Sequence, residues 1–211
     1  MWALACLNLA KRTTTEAINM GYLKYVRQVW KRPKDSMPEL WRERLIKWRQ
    51  EPTTVKLDHP TRIDRARSIG YRAKPGFIIA RQRVDRGGRM RERPAGGRRS
   101  HAARRLKILN MPYQLVAEQR AQKKFPNCEV LNSYWLAKDG LYYWYEVILV
   151  DKENPQILAD PLLGWMAKPV HRGRVYRGLT STGRKSRGLL HKGKGAEKIR
   201  PSQRGRNRLA K

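Results

Sequence analysis

The sequence predicts an α+β fold: a small antiparallel sheet with a hairpin and packed helices, plus long basic irregular extensions. Three observations carry this. Residues 128–150 hold two apolar runs joined by Lys138-Asp139-Gly140, the composition and spacing of a β-hairpin. Stretches near 22–31, 39–50 and 112–125 space their apolar residues as helices do. Finally, 48 Lys+Arg face 17 Asp+Glu, a formal net charge of +31, and much of that charge lies in glycine-rich runs with little to build a core.

The 211 residues suffice for one domain of ordinary size or a small domain with long arms. The expected organisation is an N-terminal extension of unknown role over 1–19, a globular body over 20–165 with an internal basic loop near 85–107, and a basic RNA-binding extension over 166–211. The opening MWALACLNLA is followed, not preceded, by Lys11 and Arg12, so it does not read as a secretory signal. Met20-Gly21 reads as a more natural beginning.

In order, Tyr22, Tyr25, Val26, Val29 and Trp30 predict a short amphipathic helix to Lys31, ended by Pro33. Ser36-Met37-Pro38-Glu39 has the form of a capping box, opening a second helix to about Gln50. On it Trp41, Leu45 and Trp48 share a face, read as core or docking contacts rather than base-stacking groups. Residues 59–70 form a compact basic turn, with Asp64 pairing locally with Arg67 or capping a short helix that Gly70 closes. A turn over 71–76 leads into a strand from Phe77 to Val84, its apolar end buried and its basic end emerging.

In the basic loop Asp85–Lys107, Gly87-Gly88 and Gly96-Gly97 argue against regular structure. Asn110 is the expected cap of a helix with Pro112 in its first turn, running to Phe125. The hairpin follows, Cys128–Leu136 and Leu141–Val150. Tyr142, Trp144, Glu146, Ile148 and Val150 lie on one face of the second strand, and Tyr143, Tyr145, Val147 and Leu149 on the other. Both faces are largely apolar, which predicts a central strand covered on both sides. Asp151–Leu163 is a connector. Lys168–Leu189, with seven Lys/Arg, four glycines and no acid, is expected to gain order from a polyanionic partner, as is the Lys/Arg-rich tail over 190–211.

The charge points to nucleic acid. No apolar run approaches the ~20 residues of a membrane span. Cys6 and Cys128 offer neither a CxxC pair nor a Cys–His cluster, so neither a zinc site nor a disulfide framework is expected. No nucleophile–base pair, metal cluster or phosphate-cradling loop is visible, so no cofactor, metal, small-molecule substrate or catalytic residue is expected. His59, His101, His171 and His191 all sit in basic loops, suited to stacking or hydrogen bonding to RNA. Arg62, Arg65, Arg67, Arg72, Lys74, Arg86, Arg89, Lys168, Arg177, Arg184, Lys185 and Arg187 are the expected phosphate contacts, and His171 the expected stacking group.

Four stretches carry a resemblance. They are Met20-Gly21-Tyr22 with Lys24-Tyr25 and Trp30; residues 60–67 with Gly70-Tyr71-Arg72-Ala73-Lys74; residues 130–135 with Tyr145-Glu146-Val147-Ile148-Leu149; and Lys168-Pro169-Val170-His171 with residues 177–181 and 183–189. On these the chain resembles the archaeal and eukaryotic type of ribosomal protein fifteen of the large subunit. The resemblance implies a small α/β body with basic extensions buried in large-subunit rRNA. It implies rRNA and neighbouring large-subunit proteins as partners, a cytoplasmic location in that subunit, and a structural rather than catalytic role. The alternative is a non-ribosomal basic nucleic-acid-binding or RNA-chaperone protein. Three departures stand out: residues 1–19 precede the family's usual start, Asp85 stands where a basic residue is expected, and residues 190–211 match no family pattern.

Overall fold

A computed structural model describes residues 21–90, 96–97, 106–107, 111–191, 193, 196 and 199. The expected 1–19 extension, the Asn110 cap, most of the 85–107 loop and most of the terminal tail lie outside them.

The centre is a four-stranded antiparallel sheet in the order β1-β2-β6-β5. These strands are β1 (Thr54–Leu57), β2 (Phe77–Asp85), β5 (Cys128–Lys138) and β6 (Tyr142–Asp151). The hairpin expectation holds, and β6 is central, paired with β2 from Phe77↔Val150 to Asp85↔Tyr142 and with β5 from Cys128↔Asp151 to Lys138↔Tyr143. Register shifts near Leu131 and Leu136 are β-bulges, the device that bends and twists a strand. β1 was not foreseen: TVKL is four residues long and only partly buried, too short to show a period.

Helices cover both faces of the sheet. On one lie α1 (Tyr22–Lys31), the single turn α2 (Pro33–Ser36), α3 (Pro38–Gln50) and α4 (Ile63–Ser68). Trp30, Trp41, Trp48 and Trp144 form a chain of ring contacts there, with centroids 5.9, 6.4 and 6.1 Å apart, each edge-on or tilted contact adding about 0.5–1.5 kcal/mol beyond the buried area. Ile79, Leu136 and Ile148 complete that core. On the other face α5 (Tyr113–Lys124) covers Ala80, Val130, Val147 and Leu149 through Ala121, and Val84 and Tyr145 through Ala117. The two sides of β6 enter opposite cores, as the alternation requires.

Several local expectations are corrected. The capping box does not form: Ser36 ends α2, Met37 is the N-cap of α3 without a side-chain bond, and Pro38 takes the first helical position, where its missing N–H costs nothing. Pro112 is the N-cap residue of α5. Asp64 pairs with Arg62 at 3.1 Å rather than with Arg67. Gly70 does close α4: its N–H reaches Arg67 O and the Tyr71 N–H reaches Ala66 O, a Schellman motif with Gly70 at φ +110°. The basic end of β2 does not simply emerge, because Arg81 is buried, paired with Glu51, and 4.8 Å over the Trp48 ring. The basic loop carries a two-stranded ladder, β3 (Arg89–Met90) with β4 (Leu106–Lys107), despite its glycines.

The connector contains α6 (Pro155–Leu158), capped by the Asn154 side chain. Ile157, Leu163 and Met166 pack on Val150 at the sheet end. Beyond them the chain makes 3-10 turns over Gly164–Ala167 and Pro169–His171, then α7 (Ser181–Ser186).

Candidate nucleic-acid interface

Residues 168–189 are folded on the body, which composition alone did not anticipate. Their order comes from buried polar bonds rather than from apolar surface. Glu118, fully buried on α5, accepts hydrogen bonds from the hydroxyls of Thr180 at 2.7 Å and Thr182 at 3.0 Å, and from Ser133 on β5. Burial pushes the Glu118 carboxyl up from its ordinary value, against those hydroxyls and the charge of Arg174. Thr180 is also the N-cap of α7, accepting from the Gly183 N–H at 3.2 Å. Thr180 and Thr182 thus face inward and are spent on the fold, not on phosphate.

A second anchor is Arg174, which sequence reasoning missed because it is one of seven Lys/Arg in residues 168–189. Its guanidinium donates to Val130 O at 3.0 Å and Leu179 O at 3.2 Å, and lies 5.0 Å over the Trp165 ring. Burial lowers its pKa, opposed by Glu118 and Glu129. Glu129 Oε1 accepts the Gly173 N–H at 2.9 Å, and Val175 between these contacts is fully buried. The signal that could have found both acids is scarcity: carboxylates are few in this chain, and Glu118 directly follows the apolar run Leu115-Val116-Ala117 while Glu129 lies between Cys128 and Val130.

The expected contact residues divide into two groups. Arg62, Lys74, Arg86, Arg177 and Arg187 brace the chain as well as carrying charge. Arg62 pairs with Asp64 and lies 5.2 Å over Trp30, and Lys74 pairs with Asp160. Arg86 bonds Asp139 O and sits 5.1 Å over Tyr143. Arg177 bonds Val170 O and, at 2.9 Å, Arg172 O; Arg187 bonds Arg177 O and Gly178 O at 3.3 and 3.2 Å. A guanidinium has five donors and an ammonium three, so these braces retain capacity outward. Arg65, Arg67, Lys168, Arg184 and Lys185 are exposed, as is Arg72, which bonds its neighbour Tyr71 O at 3.0 Å.

His171 packs edge-on against Trp165 at 4.8 Å, so its ring is engaged within the chain. For Arg89 the structure describes the strand and not the side chain.

The fold brings Arg65 and Lys185 to one open cleft of about 660 Å³ between α4, α5, β5 and α7. Arg86 lies elsewhere, at the hairpin turn. Several acids are drawn into the fold: Asp64, Asp139, Asp160 and Glu51 are ion-paired, and Glu118, Glu129 and Glu146 are buried, whereas Asp35, Glu39, Glu43, Asp58, Asp85 and Glu153 are exposed. Residues 161–191 contain no acid at all. Among the described residues no cluster of His, Cys, Asp and Glu could hold a metal ion, and no helix is long and apolar enough to cross a membrane.

A surface of exposed cations braced from beneath by buried carboxylates matches what comparison with known proteins returns. The family model described as Ribosomal L15 matches residues 21–206, so it takes in residues 190–206 of the tail, where no family pattern was expected. The chain is 52% identical over 189 residues to the large ribosomal subunit protein eL15 of Methanocella arvoryzae, covering 89% of this chain and 96% of that one. It is 51% identical over 185 residues to the protein of the same name from Nanoarchaeum equitans, covering 88% and 97%.

Proposed function

The chain belongs to the ribosomal L15e family, structural proteins of the large ribosomal subunit and not enzymes, and on that premise we propose that it stabilises folded rRNA through the cationic faces of residues 62–74, 86–89 and 168–187. Arg65, Arg67, Arg72, Lys168, Arg184 and Lys185 make the outward phosphate contacts. Arg62, Lys74, Arg86, Arg177 and Arg187 both brace the fold and face the RNA, and Arg89, on the short strand β3, adds a further phosphate contact. His171 acts through Trp165, as part of the platform rather than as a base-stacking ring. Neighbouring large-subunit proteins are the further partners. The 166–211 region works as an RNA-binding extension whose first part is folded before contact.

The observation that carries this reading is the acid-free sector over residues 161–191, in which Lys168, Arg184 and Lys185 are exposed. The acids that bond to that sector, Glu118 and Glu129, are themselves buried, so its exposed charge is cationic. Such a surface suits the backbone and shape of A-form RNA, whose grooves expose little base identity to side chains.

Cosedimentation tests it. The chain should stay on large subunits through a moderate-salt wash. Release into the soluble fraction under that wash would overturn the assignment of tight rRNA contact.

A further inference from the structure

The Arg65–Lys185 cleft has more than charge. Its lining includes two amides, Gln114 at the start of α5 and Asn132 beside the first bulge of β5. Their internal bonds fix which way each amide points. Gln114 Nε2 donates to Ser133 O at 3.0 Å and Ser133 Oγ at 2.8 Å, and Asn132 Oδ1 accepts the Ser133 N–H at 2.9 Å. What remains for a visitor is the Gln114 carbonyl, an acceptor, and the Asn132 amino group, a donor pair. Pro112 and Ile69 add apolar surface to the lining. About 660 Å³ falls within the roughly 300–1,000 Å³ usual for small-molecule sites.

We propose that this cleft receives a single unpaired nucleotide of the bound RNA. Gln114 and Asn132 meet the base edge, Pro112 and Ile69 line its ring face, and Arg65 and Lys185 hold its phosphate from opposite walls. An adjacent donor and acceptor are what the pairing edge of a nucleobase satisfies, and an unstacked base is the form in which proteins read RNA sequence. No carboxylate lines the cleft, which disfavours a bare cation, and its largely polar lining disfavours a lipid chain. The inference rests on the RNA-binding reading above but adds a base-reading site to a surface otherwise concerned with backbone.

The test is chemical probing of base edges in large-subunit rRNA bound by the full chain, against two variants. Ser181→Trp fills the cleft from its exposed rim. Asn132→Asp keeps the oxygen that accepts from Ser133 and replaces the outward amino group. With the wild-type chain, one unpaired base should be shielded. With each variant that base should become reactive while its neighbours stay unchanged, and affinity should fall about tenfold, near 1.4 kcal/mol. Equal urea midpoints for all three chains would show the fold is intact. Identical probing patterns for the three chains, with RNA binding retained, overturn the nucleotide site alone. Failure of the wild-type chain to bind rRNA overturns both readings.

Discussion

Glu118 Oε2 accepts a hydrogen bond from the Thr180 hydroxyl at 2.7 Å, across 62 positions of sequence. This bond and its companions to Thr182 and Ser133 tie the basic C-terminal sector to α5 and β5. Removing the acceptor should therefore loosen the sector. In Glu118→Ala three hydroxyls lose their acceptor, at about 1–3 kcal/mol for each buried group left unsatisfied. Hydrogen exchange should show residues 173–187 opening while β2 and β6 stay protected. Uniform loss of protection would mean that Glu118 supports the whole fold instead.

The same carboxyl predicts a pH dependence. Burial, first among its influences, raises the Glu118 pKa above the ordinary 4.5. A carboxyl raised in the folded state binds its proton more tightly there than in the unfolded chain. Its contribution is then full below the unfolded value and is lost as pH rises through the folded value. Glu146, also raised by burial, acts in the same direction, and Asp160, lowered by Lys74, in the opposite one. Glu118→Gln removes one of these influences. As pH rises above the ordinary carboxyl value of 4.5, the urea midpoint of the wild-type chain should decline relative to that of Glu118→Gln. A constant difference between the two would contradict the raised carboxyl.

Gly183 should not tolerate a side chain. A Cβ built there lies 2.6 Å from Gly178 Cα and 2.7 Å from its carbonyl carbon, both backbone atoms without a rotamer to yield. Gly183→Ala must separate α7 from the 173–178 turn, costing about 1–3 kcal/mol as overpacking usually does. The measurement is the thermal midpoint of the free chain. Gly87→Ala is the spatial comparison, since nothing lies within 4 Å of a Cβ there, although its φ of +108° still strains any residue with a side chain. A smaller shift at Gly183 than at Gly87 would deny the close approach.

Legibility followed the source of each element's order. The hairpin could be read because its strands are long and apolar on both faces, and the tryptophan faces of α1 and α3 because helical spacing survives in any context. β1 was lost because four half-buried residues have no visible period. The order of 168–189 was missed because composition measures what a segment can bury, and this one is held instead by Glu118, Glu129 and arginines closing on carbonyls. Those partners lie 44 to 64 positions away. The cations could be listed from sequence, but not sorted into braces and outward contacts. Arg62 beside Asp64 is the exception, a pairing legible in hindsight from a spacing of two. The Arg65–Lys185 cleft needed the fold itself, since no sequence signal links those positions.

Tyr134 and Glu146 form a second buried pair. The phenol donates to Glu146 Oε2, and the Thr61 N–H approaches the same carboxylate at 3.2 and 3.4 Å. Burial and the adjacent carboxylate push the Tyr134 hydroxyl far above its usual range, so it remains a donor at any working pH. Tyr134→Phe keeps the ring and deletes that donor, leaving a buried acceptor underserved at about 1–3 kcal/mol. Denaturant unfolding should register the loss. A neutral result would mean that Thr61 alone satisfies the carboxylate.

Braces and outward contacts should separate cleanly in one experiment. Arg81 is buried, paired with Glu51 and stacked over Trp48. Arg184 and Lys185 are exposed on α7. Removing one partner of a buried pair strands the other charge, at about 3–5 kcal/mol; Glu51 is partly exposed, so Arg81→Ala should fall below that range. It should lower the unfolding midpoint while leaving the salt dependence of rRNA binding alone, because no phosphate is neutralised there. Arg184→Ala with Lys185→Ala should do the reverse. The fold loses no described contact, and the log–log slope of affinity against salt should flatten by roughly 0.7–0.9 for each phosphate contact removed. Arg187 is left out of that pair because its bonds to Arg177 O and Gly178 O make it both brace and contact. If the double variant left the slope unchanged, α7 would face away from the RNA. The phosphate contacts would then have to come from the 62–74 turn and the hairpin end instead.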